Sequence, residues 1–383
     1  MSFESGARGA EERGRVGGVS AVPLVNVIPM ETIEKYHYFF PRLLFFGLGW
    51  GDLVCALRSM KTSAQHDWDE WHDRFTKLAR SYEAAGVEAG ARGKRATARA
   101  WLTKASVCYH FAEFAYFDNP AEKIRTQGEV ARVFELARPD LTCPVEAMRI
   151  PHGGRELPAY LHRAGEGRRP CVILVSGPGF AKEVEMHTFA QAFVERGVSA
   201  LVFDGPGQGV LAGTVPMALD FERVVGDVLG ALHRHEAIDR DRIGIFGVTY
   251  GGYMAARAAA FHPREIKACV CVSGTYDVDN FPSMHVNVRK DFMYVFGVSN
   301  EDEMCRVAQS RMNLRDVPGI TAPFLAVHGK EDRVFPYDSC LRLMRWAKGE
   351  KELIGYDGEG QAAINCFRDA VPRLSDWMAE KLA

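Results

Sequence analysis

A threonine stands at the position of this sequence where a catalytic nucleophile is most strongly indicated. The segment 247–252 reads Gly-Val-Thr-Tyr-Gly-Gly, after an apolar strand-like run at 242–246 and before a helix-forming run at 253–260. A strand, Gly-x-nucleophile-x-Gly and a helix form a strained turn that pushes the central side chain into an open site. The pattern expects serine there, whereas this chain has Thr249. We predict Thr249 to be catalytic and the backbone N–H of Tyr250 to be an oxyanion-hole donor.

A second backbone donor is predicted in the loop 175–180, Val-Ser-Gly-Pro-Gly-Phe, which follows a predicted strand. The corresponding loop of such scaffolds supplies the other N–H of the oxyanion hole. Gly179 or Phe180 would provide it here, and the alternative is a tight turn that simply needs glycine. Because backbone donors survive side-chain substitution, oxyanion stabilisation can persist where the nucleophile has changed.

The base that should activate the nucleophile is missing from its expected place. Asp332 follows the seventh predicted strand, where the acid belongs, but no histidine comes after it, and Gln361 stands at the expected position. An imidazole accepts the nucleophile's proton near neutral pH, and an amide cannot. We therefore predict Asp332 and Gln361 as site residues, with His187 or His285 as the candidates for a relocated base.

The elements that must position these residues begin at about residue 143. Short strands alternate there with helices, which predicts βαβ units and a mostly parallel sheet. Eight strands are predicted at 146–150, 157–162, 171–175, 200–203, 243–246, 268–272, 324–327 and 352–356, with helices near 183–196, 218–236, 250–261 and 366–381. This order matches an eight-stranded α/β-hydrolase fold over 143–383. The long connection 277–318 is predicted to be a lid insertion.

The region before about residue 143 has a different sequence pattern. Large apolar residues recur at helical spacing over 68–82 and 101–117, which predicts a helical cap domain at 31–142. The aromatic run 36–46 should cover the second domain or a ligand. The residues predicted to bind substrate come from this run, the lid and their neighbourhood: Tyr38, Phe39, Phe45, Phe46, His187, Tyr276, His285 and Tyr294. Residues 1–30 are predicted to be a disordered tail.

The amino-acid composition and net charge limit the classes of protein to which this chain can belong. Hydrophobic residues make up 47% and charged residues 25% of the 383 positions, with a formal net charge of −2. This is typical of a globular protein and does not favour nucleic acid or a membrane as a partner. The nine cysteines form no CxxC pair. We predict reduced thiols, no metal site and a cytoplasmic protein.

The chain resembles the α/β-hydrolases related to 2,6-dihydroxypseudooxynicotine hydrolase and the fungal polyketide-shortening hydrolases. The resemblance covers residues from about 60 to 383. It is carried by the aromatic helical region, the motif Asp-Gly-Pro-Gly-Gln-Gly at 204–209, the turn 247–252, and His328-Gly329 with Asp332. It implies hydrolysis of C–C bonds in hydrophobic β-dicarbonyl or aryl-ketone substrates, no cofactor, a helical cap and a homodimer. Thr249 and Gln361 depart from the family's serine and histidine.

Three functions remain open from these residues. The first is a cofactor-independent, non-hydrolytic enzyme (a cyclase, isomerase or C–C lyase) that acts on a hydrophobic polyketide or aromatic ketone through oxyanion stabilisation. The second is a C–C or ester hydrolase that uses Thr249 with a relocated base. The third is a non-catalytic binding protein.

Overall fold

The computed structural model describes residues 27–60 and 67–383. Eight strands form one sheet: β1 Val145–His152, β2 Arg155–His162, β3 Arg169–Val175, β4 Ser199–Phe203, β5 Ile238–Val248, β6 Ile266–Val272, β7 Phe324–Gly329 and β8 Lys351–Tyr356. Their order in the sheet is β1-β2-β4-β3-β5-β6-β7-β8. β2 pairs antiparallel with β1 and β4, and all other neighbours are parallel. The predicted α/β-hydrolase fold is confirmed.

Helices cover both faces of the sheet. The α/β part contains α7 His187–Val194, α8 Phe221–Arg234, α9 Tyr250–Phe261, α12 Tyr337–Trp346 and α13 Phe367–Lys381. The central strands β3 and β4 consist almost wholly of buried residues, as expected for strands covered on both faces. The sequence prediction had not included α12, which follows β7 after a short loop.

The N-terminal part is helical. It contains α1 Met30–Tyr36, α2 Phe40–Phe45, α3 Trp50–Leu57, α4 Trp68–Ala91, α5 Arg95–Glu113 and α6 Pro120–Ala137. Most of the predicted tail, 1–30, lies outside the described residues, but Ile28 is buried and α1 already begins at Met30. None of the helices described in these two stretches is long and apolar enough to cross a membrane.

The insertion 277–318 forms two helices, α10 Val286–Phe296 and α11 Glu301–Arg311. α10 lies over the start of α9. The Phe292 and Phe296 rings meet the Tyr250 ring with centroids 5.2 and 6.1 Å apart. Aromatic rings therefore fix α10 above the turn that carries Thr249.

The contact between α4 and α5 generates the first prediction. A Cβ added to the buried Gly86 would lie 2.7 Å from Leu102 Cγ. We expect Gly86→Ala to destabilise the protein by about 1–3 kcal/mol, because overpacking outweighs the gain in helix propensity. Gly128, exposed in α6 with open space around it, is the matched control, and Gly128→Ala should stabilise by up to about 1 kcal/mol. Urea denaturation measures both changes, and equal effects would contradict the packing argument.

Candidate active site

Thr249 sits on a strained turn between β5 and α9. Its backbone has φ 56° and ψ −125°, a conformation that a β-branched residue adopts at a cost. The turn is held because the Thr249 N–H donates to Val272 O at 2.8 Å. Glycine is required at position 251, where a Cβ would collide with Val175 O. The strand, strained turn and helix predicted from the sequence are therefore present.

A cavity of about 420 Å³ lies in front of this turn, between the helical cap region, the insertion 277–318 that is predicted to be a lid, and the α/β part. Aromatic rings from all three regions form most of its wall. Its polar or charged side chains, apart from tyrosine hydroxyls, are Arg42, Thr249, His285, Asn287, Asp291 and Gln361. A largely apolar cavity with a few converging polar groups is typical of a site for a hydrophobic small molecule.

Most of the predicted site residues meet in this cavity. These are Tyr38, Phe39, Phe46, Phe180, Thr249, Tyr250, His285 and Gln361. As the first residue of α9, Tyr250 has a backbone N–H without an intrahelical acceptor. The Phe180 N–H donates a long bond of 3.4 Å to Gly177 O, which leaves much of its donor strength free. Gly179 lies at the edge of the site, where its carbonyl accepts from Arg42 at 3.3 Å.

Two aromatic residues predicted to bind substrate lie elsewhere, because neighbouring rings and polar groups already surround them. Phe45 packs against Phe367, with ring centroids 5.0 Å apart. Tyr276 lies near Arg342, and its backbone N–H donates to Ser339 Oγ at 3.0 Å.

His187 and Tyr294 also lie outside the large cavity. The His187 ring bonds His162 at 2.8 Å and Gln191 at 2.7 Å, and burial lowers its pKa to about 4. The structure thus rules it out as the relocated base, since its ring nitrogens are engaged away from Thr249. Tyr294 donates to Ala212 O at 3.4 Å and lines a second, smaller cavity.

The two carboxylate oxygens of Asp332, the predicted acid, have different environments. Asp332 is buried, and its Oδ1 accepts from the N–H groups of Val334 and Phe335 at 2.8 and 2.9 Å. Its Oδ2 has no hydrogen-bond partner among the described residues and lies 3.8 Å from His328 Nε2. That nitrogen donates to Phe335 O at 2.8 Å. Burial raises the pKa of Asp332, although His328, the two N–H groups and Ser273 oppose the rise.

No imidazole reaches the Thr249 hydroxyl in the part of the chain that the structure describes. His285 lines the cavity, but its Nδ1 accepts the N–H of Asn287 and so caps α10. Gln361 has an exposed side chain in the cavity wall, and no hydrogen bond joins it to Asp332 among residues 27–60 and 67–383. The geometry around Thr249 thus supplies a hydroxyl and backbone donors without an adjacent base.

A buried ionic network connects the cap to the predicted oxyanion loop. Glu185 accepts from Arg42 Nη2 at 2.7 Å, from His110 Nε2 at 2.9 Å and from the Ala181 N–H at 3.0 Å. His110 also bonds Glu113 at 3.1 Å, and Glu113 pairs with Lys123. These contacts tie α2, α5 and α6 to the loop.

The charges in this network stabilise one another. Burial alone would lower the pKa of His110, but Glu185 and Glu113 outweigh it and raise that pKa to about 9. Burial would likewise raise the pKa of Glu185, but His110 and Arg42 outweigh it and lower that pKa to about 2. His110 is therefore an imidazolium between two carboxylates at neutral pH.

The glycine-rich turn 204–209 has a structural role. Gln208 Nε2 donates to Ser176 O at 2.5 Å, and its Oε1 accepts the Gly205 N–H at 2.8 Å. Asp204 pairs with Lys182 at 2.6 Å. The turn thus holds the loop 175–180 and contributes no residue to the wall of the large cavity.

Several known proteins resemble this chain in sequence and in fold. The chain is 30% identical over 295 residues to 2,6-dihydropseudooxynicotine hydrolase of Paenarthrobacter nicotinovorans, an alignment that covers 76% of this chain and 78% of the relative. The chain belongs to the α/β-hydrolase family. The crystal structure of 2,6-dihydroxy-pseudo-oxynicotine hydrolase superposes with a TM-score of 0.81 at 26% identity, covering 90% of this chain and 96% of that one.

Other proteins resemble the chain over different lengths. Alpha/beta hydrolase psoB of Aspergillus fumigatus is 31% identical over 284 residues, which cover 66% of this chain and 62% of psoB. The Prolyl oligopeptidase family profile matches residues 225–356, which include the turn at Thr249 and Asp332. AbyA5 shares the fold with a TM-score of 0.69 at 18% identity, over 92% of this chain and 98% of that one. The protein is thus a member of an enzyme family in which hydrolases are common.

Sequence reasoning missed Arg42 and Asp291, which come from the cap and the lid. Arg42 places its guanidinium 4.1 Å from the Phe114 ring centroid and 4.3 Å from that of Phe180. The aromatic run around Arg42 was a usable signal, because a charged residue inside such a run needs a buried partner. No feature of the sequence next to Asp291 indicates that this residue belongs to the site.

The network predicts a pH-dependent loss of stability in His110→Gln. At pH 6 we expect a loss of about 3–5 kcal/mol in the free energy of unfolding, because two buried carboxylates lose their shared cation. The folded-state pKa of His110 is raised to about 9. Its contribution is therefore complete below its ordinary pKa of about 6.5 and disappears as the pH rises through about 9.

Urea denaturation at pH 6 and pH 9.5 measures this difference. His152, which pairs with Asp227 at 2.8 Å at the surface, provides the control. His152→Gln should change stability by less than about 1 kcal/mol at both pH values. A loss in His110→Gln that grows with pH would overturn the assignment of His110 as the buried cation.

Proposed function

We propose that this α/β-hydrolase-family protein is a cofactor-independent, non-hydrolytic enzyme that acts next to a carbonyl group of a hydrophobic polyketide or aromatic ketone. A cyclase, an isomerase and a C–C lyase all fit this class. The observation that carries the proposal is a Thr249 hydroxyl in an aromatic cavity, beside backbone donors and with no imidazole of the described residues hydrogen-bonded to it. An enolate whose oxygen accepts hydrogen bonds from the Tyr250 and Phe180 N–H groups forms without an acyl-enzyme intermediate.

The cavity supports the proposed substrate class. Its volume of about 420 Å³ suits a molecule of one or a few rings. The surrounding aromatic side chains bind flat, apolar groups, and the few polar groups gather near Thr249 and the lid. A cavity of this kind can hold a flexible chain in a reactive conformation.

Hydrolysis is the second candidate, because the related proteins carry hydrolase names. It requires Thr249 to act as a nucleophile with a base other than His187, and His285 is the histidine that lines the cavity. The homodimer implied by the family resemblance and the cytoplasmic location predicted from the composition stay predictions.

Benzoylacetone separates the two candidates in one experiment. The proposed enzyme should bind this aryl β-diketone as its enolate, visible as a red-shifted absorption, because the backbone donors stabilise the oxyanion. It should release no benzoic or acetic acid beyond the rate of an enzyme-free blank. Acid release by the wild type, together with a fluorophosphonate adduct on Thr249 in intact mass spectra, would establish the hydrolase instead.

Restoring the missing groups should create hydrolysis. In Thr249→Ser/Gln361→His the new imidazole can engage the unpartnered Asp332 Oδ2. We expect turnover of p-nitrophenyl butyrate to rise by about 10²-fold or more over the wild type, since the nucleophile and base together account for about 10⁶ in kcat in a serine-protease template. The control Thr249→Ser/Gln361→Leu lacks the ring and should gain little. An equal gain in the control would show that the base was never the limiting part.

A further inference from the structure

Asp291 brings a carboxylate into the large cavity from the lid. Of the described residues in the cavity wall, it is the acidic one. It lies in the middle of α10, and a Cβ added to Gly179 would be 2.8 Å from its Oδ2. The carboxyl group therefore rests against the loop that is expected to hold the oxyanion. A substrate carbonyl bound by this loop would have its α-carbon within the space that Asp291 faces.

The nearby cations are committed to other carboxylates. Lys123 donates to the backbone carbonyl of Glu113 at 2.6 Å and pairs with its side chain, while Arg42 pairs with Glu185. Asp291 itself makes no hydrogen bond or ion pair among the described residues. A carboxyl group that is close to cations but not paired with one can both hold and release a proton.

Behind Asp291 lies the smaller cavity of about 20 Å³, enough for one water molecule. Asp291 and Phe180 line both cavities. The other polar side chains of the small cavity are His110, Glu113, Lys123, Gln127, Glu183 and Tyr294. These groups can orient a water molecule that exchanges a proton with Asp291.

We propose that Asp291 is the acid–base group of this site and takes the place of the absent imidazole. The inference rests on the proposed function. The C–H bond beside the substrate carbonyl breaks, its electron pair moves into the enolate, and the proton passes to the Asp291 carboxylate. Asp291 then returns the proton to carbon, or to the oxygen of a product. No other reactant is needed for this balance.

The charges around Asp291 set the pH at which it works. Burial is the largest cause that raises its pKa, Glu113 adds to the rise, Lys123, Arg42 and His110 oppose it, and the net result is a pKa of about 7. Tyr294 lies one helical turn away, and burial raises its pKa so that it stays neutral. As a base Asp291 must be ionised, so the rate should increase with pH through about 7.

Other titratable groups in the cavity suit this task less well. Burial raises the pKa values of Tyr38 and Tyr250, which keeps both phenols protonated near neutral pH. Arg42 cannot be deprotonated in a protein. His285 sits at the exposed start of α10, where its Nδ1 accepts the N–H of Asn287.

The test compares the wild type with Asp291→Asn and Asp302→Asn, using deuterium exchange at the methyl group of acetophenone followed by proton NMR. Exchange in the wild type should rise through pH 7. Asp291→Asn should lose about 10²–10⁴-fold and the pH dependence with it. Asp302→Asn, at an exposed position of α11 that lines neither cavity, should keep both the rate and its rise with pH, and Asp291→Glu should restore part of the rate. A rise that survives in Asp291→Asn would overturn the inference while leaving the proposed function in place.

Thermal unfolding gives a second reading that needs no substrate. A carboxyl group whose pKa is raised on folding destabilises the folded protein as the pH increases from its unfolded value through about 7. The Tm of Asp291→Asn minus that of the wild type should therefore be about 2–4 °C larger at pH 8.5 than at pH 5.5. A lower Tm in Asp291→Asn, or a difference that does not change with pH, would overturn the inference. If acetophenone and benzoylacetone are both untouched by the wild type, the proposed function fails, whatever the unfolding shows.

Discussion

The carboxylate of Glu185 joins the two parts of the molecule that enclose the cavity. It lies on the short helical turn Lys182–Met186, which follows the predicted oxyanion loop, and is completely buried. Its partners are Arg42 and His110 from the cap and the N–H of Ala181, the residue before this turn. A buried carboxylate held by three donors allows little displacement, because each lost bond leaves a charge or a donor unpaired. The position of the cap thus fixes the position of the backbone donors.

The same arrangement explains how a polar centre exists inside an aromatic cavity. On the cap side, imidazolium, guanidinium and carboxylate groups neutralise one another beneath the rings. On the sheet side, Lys182 and Gln208 link the loop to the turn 204–209. The loop is therefore held from both sides by buried polar contacts, while its surface towards the cavity carries Pro178 and Phe180. Rigid backbone donors at an apolar surface are what oxyanion stabilisation requires.

Much of the fold could be predicted because its signals are local. All eight strands and the turn at Thr249 follow from short apolar runs, glycine positions and helix-forming segments. The contents of the site were less accessible. Phe45 and Phe46 are adjacent in an aromatic run, yet Phe46 faces the cavity and Phe45 packs against Phe367. Which ring faces inward depends on how α2 meets α13, more than 300 positions away in the sequence. Asp291 illustrates the same limit, since its importance arises from residues on four other segments.

Asp332 shows that a residue typical of a catalytic triad can persist for a structural reason. Its Oδ1 organises the turn 332–335 by accepting two backbone N–H groups, and this turn places Val334 and Phe335 in the cavity wall. His328 supports the same turn through the Phe335 carbonyl. Loss of Asp332 would leave two buried N–H groups unpaired, at a cost of about 1–3 kcal/mol each. The shape of the cavity therefore depends on this carboxylate even when no imidazole uses its second oxygen, so Asp332 by itself does not indicate hydrolysis.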